Sequence, residues 1–180
     1  MKKSTIPSLV YFLPAICYFI ELALWLKYGD QPNINALLGA LWFVGQLGIL
    51  VILSTLAQQH VTGNSKTRLI GIYIAGLGAI FYSLNYVLGY WLNFNTRILL
   101  PAGALFSGIG MLVVGIQTLR NSAWVGWKKF APLLVGLHPF LVMLPVLLIT
   151  GHPSIPAIML WGVAWLVLAV ALSSNPSKAQ

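Results

Sequence analysis

The chain has 180 residues, of which 59% are hydrophobic and 7% charged, with a net charge of +8 and one cysteine. Soluble domains carry roughly a quarter charged residues, so the composition excludes a water-soluble globule. A single cysteine, Cys17, excludes a disulfide framework and a Cys-x-x-Cys redox motif.

The length fits one domain, 1–180. The pattern predicts an all-α integral membrane protein, a six-helix bundle with spans at about 9–26, 34–56, 69–91, 98–119, 132–150 and 155–172. Each is long enough to cross a hydrocarbon core of about 30 Å at ~1.5 Å per residue. Lys2 and Lys3 followed by an apolar run look like a signal peptide. The run Leu9–Leu26 is too long for one, however, and no small-x-small cleavage site follows it. It reads as an uncleaved first span. Pro14 leaves the carbonyl of Val10 without its helical donor, which predicts a bend. Cys17 reads as a small core residue. Lys27, Tyr28 and Asp30 mark a water interface.

The second span holds Gln46 near its middle and small residues at Ala36, Gly39, Ala40, Gly45 and Gly48. The stretch 57–68 is polar. In the third span, two adjacent rows run at helical spacing. One is Gly71, Ala75, Gly78, Tyr82, Asn85 and Gly89, and the other is Ile72, Gly76, Ala79, Ser83, Tyr86 and Tyr90. The bulky residues, among them Ile70, Leu77, Ile80 and Leu84, fall on the opposite side. Small faces let helix backbones approach closely in lipid, so the third span reads as a central helix with Tyr82, Asn85 and Tyr86 pointing inward.

The fourth span carries Pro101, Ser107 and Gln117. Trp124, Trp127, Lys128 and Lys129 in the segment 120–130 suit a short interfacial helix at headgroup level. Pro139 and Pro145 interrupt the fifth span. Pro156 suits the first turn of the sixth, with Ser154 as its cap. The tail 173–180 is polar.

With alternating spans, Lys2, Lys3, Lys66, Arg68, Arg120, Lys128, Lys129 and Lys178 fall on one side, and Lys27 and Arg97 on the other. The basic-rich side is expected to be cytoplasmic, with both termini. The second, fourth and sixth spans share a Leu-aromatic pair after a small residue or a Pro-Ala start. This admits an arrangement as three tandem helical hairpins. The first and fourth spans do not match, so no inverted repeat of the transporter kind is visible.

Glu21 is the sharpest chemical feature, because it is the only acid within a span. It lies roughly 8 Å below the far end of its helix, and Asn85 lies at a similar depth in the third. Holding a glutamate neutral at pH 7 costs about 3.7 kcal/mol from a reference pKa of about 4.3. Placing a charge in a span costs on the order of 3 kcal/mol. These comparable costs leave two roles open. One is a proton-binding carboxyl or an anchor for a cationic ligand. The other is a carboxyl that reaches toward the interface and bonds Asn85, Tyr82 or Tyr86. At this one residue the chain resembles the small multidrug-resistance pumps. Its six spans depart from the four of that family, and no family is assigned.

Gln46, near the bilayer centre, calls for a hydrogen-bond partner, and Ser107 and Gln117 read the same way. His138 is the only histidine within a span, with no acid or cysteine near it, so neither haem nor a metal is expected. No Gly-x-Ser-x-Gly, His-Glu-x-x-His or P-loop occurs, and two acids cannot make a carboxylate pair with Asp30 outside the spans. No cofactor and no enzymatic activity are expected. Trp25, Trp91, Trp124 and Trp127 sit where an aromatic belt belongs, whereas Trp42, Trp161 and Trp165 lie deeper.

The expectation is therefore a non-enzymatic multi-pass protein of a bacterial cytoplasmic membrane, consistent with its short loops and its lack of an Asn-x-Ser/Thr sequon. Its first role would be structural or accessory, packing against a membrane-protein partner or a second copy. The alternative is a protein that binds a lipid or a small apolar or cationic molecule, including a proton-linked transporter using Glu21. The candidate residues are Glu21, Gln46, Tyr82, Asn85, Tyr86 and His138. Apart from these candidates the partner is the lipid bilayer, and no nucleic acid is expected.

Overall fold

The computed structural model describes residues 8–29, 32–58, 66–92, 94, 96, 98–121 and 124–174. These residues are almost entirely helical and contain no strand. Six helices are long and apolar enough to cross a membrane: Ser8–Tyr28, Leu37–Gln58, Lys66–Gly89, Leu99–Arg120, Gly126–Thr150 and Ile155–Ser173. They correspond in order to the six expected spans. Lys2, Lys3, Asp30, His60, Arg97 and Lys178 lie outside the described residues, as do the side chains of Tyr90 and Trp91.

Close glycine contacts fix how the spans run. A Cβ on Gly48 would meet Pro14 at 2.8 Å, and one on Gly45 would meet Cys17 at 3.3 Å, so the first and second spans are antiparallel. Gly71 lies against Gly110 and Val113, and Gly78 lies against Ser107 and Gly103, which sets the third antiparallel to the fourth. Gly115 meets Leu133 while Gly108 meets Pro139 and Phe140, so the fourth and fifth are antiparallel too. One end of the bundle therefore carries the turns after Tyr28, Trp91 and Thr150. The other end carries Ser8 and Ser174, the first and last described residues.

The small face of the third span is buried as its spacing predicts. Gly71, Ala75, Gly78 and Tyr82 are all buried, whereas Ile70, Leu77, Ile80 and Leu84 are exposed. The third span is not the central helix, however. The sixth is, with 61% of its apolar window buried against 33% for the third. It packs on the first span, where Gly162 abuts Tyr18, and on the fifth, where Trp161 reaches Val135. Small residues mark where two backbones come close; they do not mark the axis of the bundle. The sixth span has no polar stripe to announce its position, because a buried helix and a lipid-facing one are equally apolar.

Prolines shape three of the spans. The first opens with a tight 3-10 segment, Ser8–Phe12, before Pro14 enters the first turn of the α-helix Leu13–Tyr28. In the fifth, a 3-10 segment Gly126–Phe130 runs directly into the helix, so the stretch expected as a separate interfacial helix is the start of the span. Its Trp127 is exposed, but Trp124, expected in the aromatic belt, is buried. Pro139 and Pro145 do not break the fifth span. Pro139 opens a wide-turn π segment, Pro139–Met143, in which Leu144 N–H donates to the Pro139 carbonyl five residues back. The sixth span is interrupted at Leu160, between Ile155–Met159 and Trp161–Ser173. Ser154 stands before it in extended conformation, but its side chain makes no capping bond.

Candidate functional site

The first span brings Cys17, Tyr18 and Glu21 to one face, because positions three and four apart are neighbours on a helix. That face turns inward: Glu21 is 1% exposed and Tyr18 is 2% exposed. From the second span, Gln46 Nε2 donates to the Tyr18 hydroxyl at 3.2 Å, across 28 residues of sequence. Gln46 thus has the interhelical partner that its depth demands. The third span contributes Tyr82, fully buried and within electrostatic reach of Tyr18, as Glu21 also is.

The polar groups here are not saturated. Among the described residues neither carboxylate oxygen of Glu21 has a hydrogen-bond donor. The Gln46 Oε1, the Tyr82 hydroxyl and the indole N–H groups of Trp42 and Trp165 also lack partners. Buried polar atoms without partners are rare in folded proteins and call for an explanation, because each costs roughly 1–3 kcal/mol.

Around this centre the aromatic rings form a continuous chain. Trp42 lies 5.6 Å from Tyr82, Tyr82 lies 6.2 Å from Trp161, and Trp161 lies 5.8 Å from Trp165. His138 stacks on Trp161 at 6.2 Å with the planes 9° apart. Its Nε2–H donates to the Ala157 carbonyl at 2.9 Å, so the imidazole is tied into the fifth–sixth span contact. Trp161 fills a gap that Pro139 creates. Lacking an N–H, Pro139 cannot bond the Val135 carbonyl, and Trp161 Nε1 donates to that carbonyl instead at 2.8 Å. Among the described residues no three of His, Cys, Asp and Glu gather as a metal site would require.

Glu21, Gln46 and Tyr82 therefore converge, with Tyr18 between them. Asn85 is partly buried and gives Glu21 no hydrogen bond. Tyr86 is partly buried and turns to the second span, where its ring covers Gly39 and lies 6.5 Å from Phe43. His138 belongs to the neighbouring aromatic packing. Glu21 is buried, and among the described residues it bonds none of Asn85, Tyr82 and Tyr86. Tyr18 was absent from the sequence reading, although its position three residues before Glu21 was the signal.

Tyr82 also forms a boundary. Its ring rests on Gly103, where a Cβ would come within 2.9 Å. It closes the inner end of an apolar crevice of about 130 Å³ between the fourth, fifth and sixth spans.

No protein-family model, no curated protein and no solved structure matches this chain.

Proposed function

We propose that this chain is a multi-pass protein of a bacterial cytoplasmic membrane, built of three helical hairpins with both termini in the cytoplasm. In this reading its centre binds a proton and a small cationic molecule in exchange at Glu21. The protein is a proton-linked binder or transporter and not an enzyme. The observation that carries the reading is the Glu21 carboxyl, buried with neither oxygen bonded. Intramembrane acids are costly and mark ligand or proton paths by default. A merely structural carboxyl would have recruited a donor, and the Gln46 amide N–H bonds Tyr18 instead. A proton and a cation on one carboxyl exclude each other, which is the minimal chemistry of exchange. Tyr18, Tyr82 and Gln46 are the groups placed to orient what enters. An accessory role would rest on unused small-residue faces. Gly71 and Gly78 of the third span instead meet the fourth within the same chain.

The test uses the scarcity of acids. Only Glu21 and Asp30 are present, so the infrared carbonyl band of a protonated carboxyl can be assigned with one variant. In lipid nanodiscs the wild type should show this band. Tetraphenylphosphonium, a cation with no proton of its own, should diminish it and release protons. Glu21→Gln should lack both the band and the release while keeping the helical spectrum. A band insensitive to both pH and the probe would overturn the reading.

A further inference from the structure

The exchange chemistry at Glu21 makes no use of the crevice beyond Tyr82. Its walls come from three proline-bearing segments. Pro101 stands in the first turn of the fourth span, Pro139 opens the wide-turn segment of the fifth, and Pro153 precedes the sixth. Each ring fixes its own backbone angle and removes a donor.

The crevice has a direction. Its fifth-span wall runs from Leu147 to Pro139, roughly 12 Å along the helix. At the turn end of the bundle it begins beside Ser154, at the level where headgroups would lie. It ends on the Tyr82 ring, toward the middle of the span. Apart from Ser154 and Tyr82 every lining side chain is apolar. The Tyr82 hydroxyl is itself buried, so the ring is what meets an occupant. Along its flank, Leu105 and Leu144 are 45% and 41% exposed, on the surface that faces lipid. An apolar cavity of similar size, about 150 Å³, holds a six-carbon ring in another protein.

We infer that this crevice binds the hydrocarbon chain of a single membrane lipid, with its headgroup at the level of Ser154 and the last ~6 carbons against Tyr82. A crevice that parallels the helix axis, opens sideways to lipid and is polar only at its ends matches a chain lying along the bilayer normal. Tyr82 would then feel the chain on one face while its hydroxyl stands near Tyr18. The inference does not depend on Glu21 exchanging protons.

The experiment reconstitutes the full chain in phosphatidylcholine vesicles that include a lipid with a photoreactive diazirine at its chain terminus. Sites of labelling are then mapped by peptide mass spectrometry. Labelling is expected to concentrate on Ala104, Pro139 and Met143, above the level at Leu141, which is freely exposed at the same depth. Ala104→Phe, which fills the crevice, should bring it down to that level. Ala157→Leu fills it from the opposite wall and serves if the first variant does not fold, as judged by its helical spectrum. Crevice labelling no stronger than at Leu141 would overturn the inference. So would labelling unchanged by either folded variant, or a crevice that takes up benzene but is never reached by the chain label.

Discussion

The contact between the third and fourth spans and the centre around Glu21 lie one helical turn apart, at Gly78 and Tyr82, yet they are built on opposite terms. At the contact, small residues let two backbones touch. Gly71 and Ala75 face Gly110, and Gly78 faces Ser107. The Ser107 hydroxyl there is small enough to lie against a glycine. At the centre, a carboxyl, an amide oxygen, a phenol and two indoles are buried without partners. The first region is a solution to packing in lipid, where close approach supplies the association energy. The second leaves buried polar groups unpaired, which costs stability.

This contrast fails if the contact tolerates bulk. Gly110→Leu is expected to have the largest effect, because a Cβ there already collides with the backbone of Gly71 and Ala75. No side-chain rotation relieves a backbone collision, so the helices must separate. Overpacking of this kind costs about 3 kcal/mol or more, read as a lower midpoint of denaturant unfolding in detergent micelles. An unchanged midpoint would mean that the two backbones are not in contact. Glu21→Leu should act in the opposite direction. It removes a bare buried carboxyl and leaves an apolar side chain of similar bulk, which should raise stability by about 2 kcal/mol. A loss of stability on this substitution would show that Glu21 is a structural member of the core and end the comparison.

How far each region could be read from the sequence follows from its physics. The contact was legible because it rests on a local pattern. Glycine and alanine at steps of three and four lie on one helix face whatever surrounds them. The six spans were legible for the same reason, since length and apolarity are properties of a segment by itself. The position of the sixth span was not, because nothing in its side chains separates protein contact from lipid contact. Tyr18 escaped notice because tyrosines are common near membranes and its meaning depends on Gln46, 28 residues away. The pairing of Trp161 with the Val135 carbonyl was half visible: Pro139 announces a carbonyl in need of a donor, but only the fold says which donor arrives. Asn85 and Glu21 are expected at a similar depth. Depth alone, however, does not fix the rotation of a helix about its axis, and Asn85 does not bond the carboxyl.

The smallest expected effect is the one that most sharpens the contrast. Gln46→Leu deletes the 3.2 Å bond to Tyr18 and, with it, the unpartnered Oε1. Hydrogen bonds between membrane helices average about 0.6 kcal/mol in double-mutant cycles. The lost bond is offset by removal of an unsatisfied acceptor, so the net change in unfolding free energy should be at most ~0.6 kcal/mol. The infrared band of Glu21 gives a second readout on the same variant. If Gln46 orients the centre through Tyr18, the band should shift while stability stays nearly constant. Stability and function would then separate at a single residue. If instead Gln46→Leu unfolds the protein as readily as Gly110→Leu, the amide is a structural tie between the first two spans. The polar centre would then belong to the packing of the bundle, on the same footing as the glycine contact beside it.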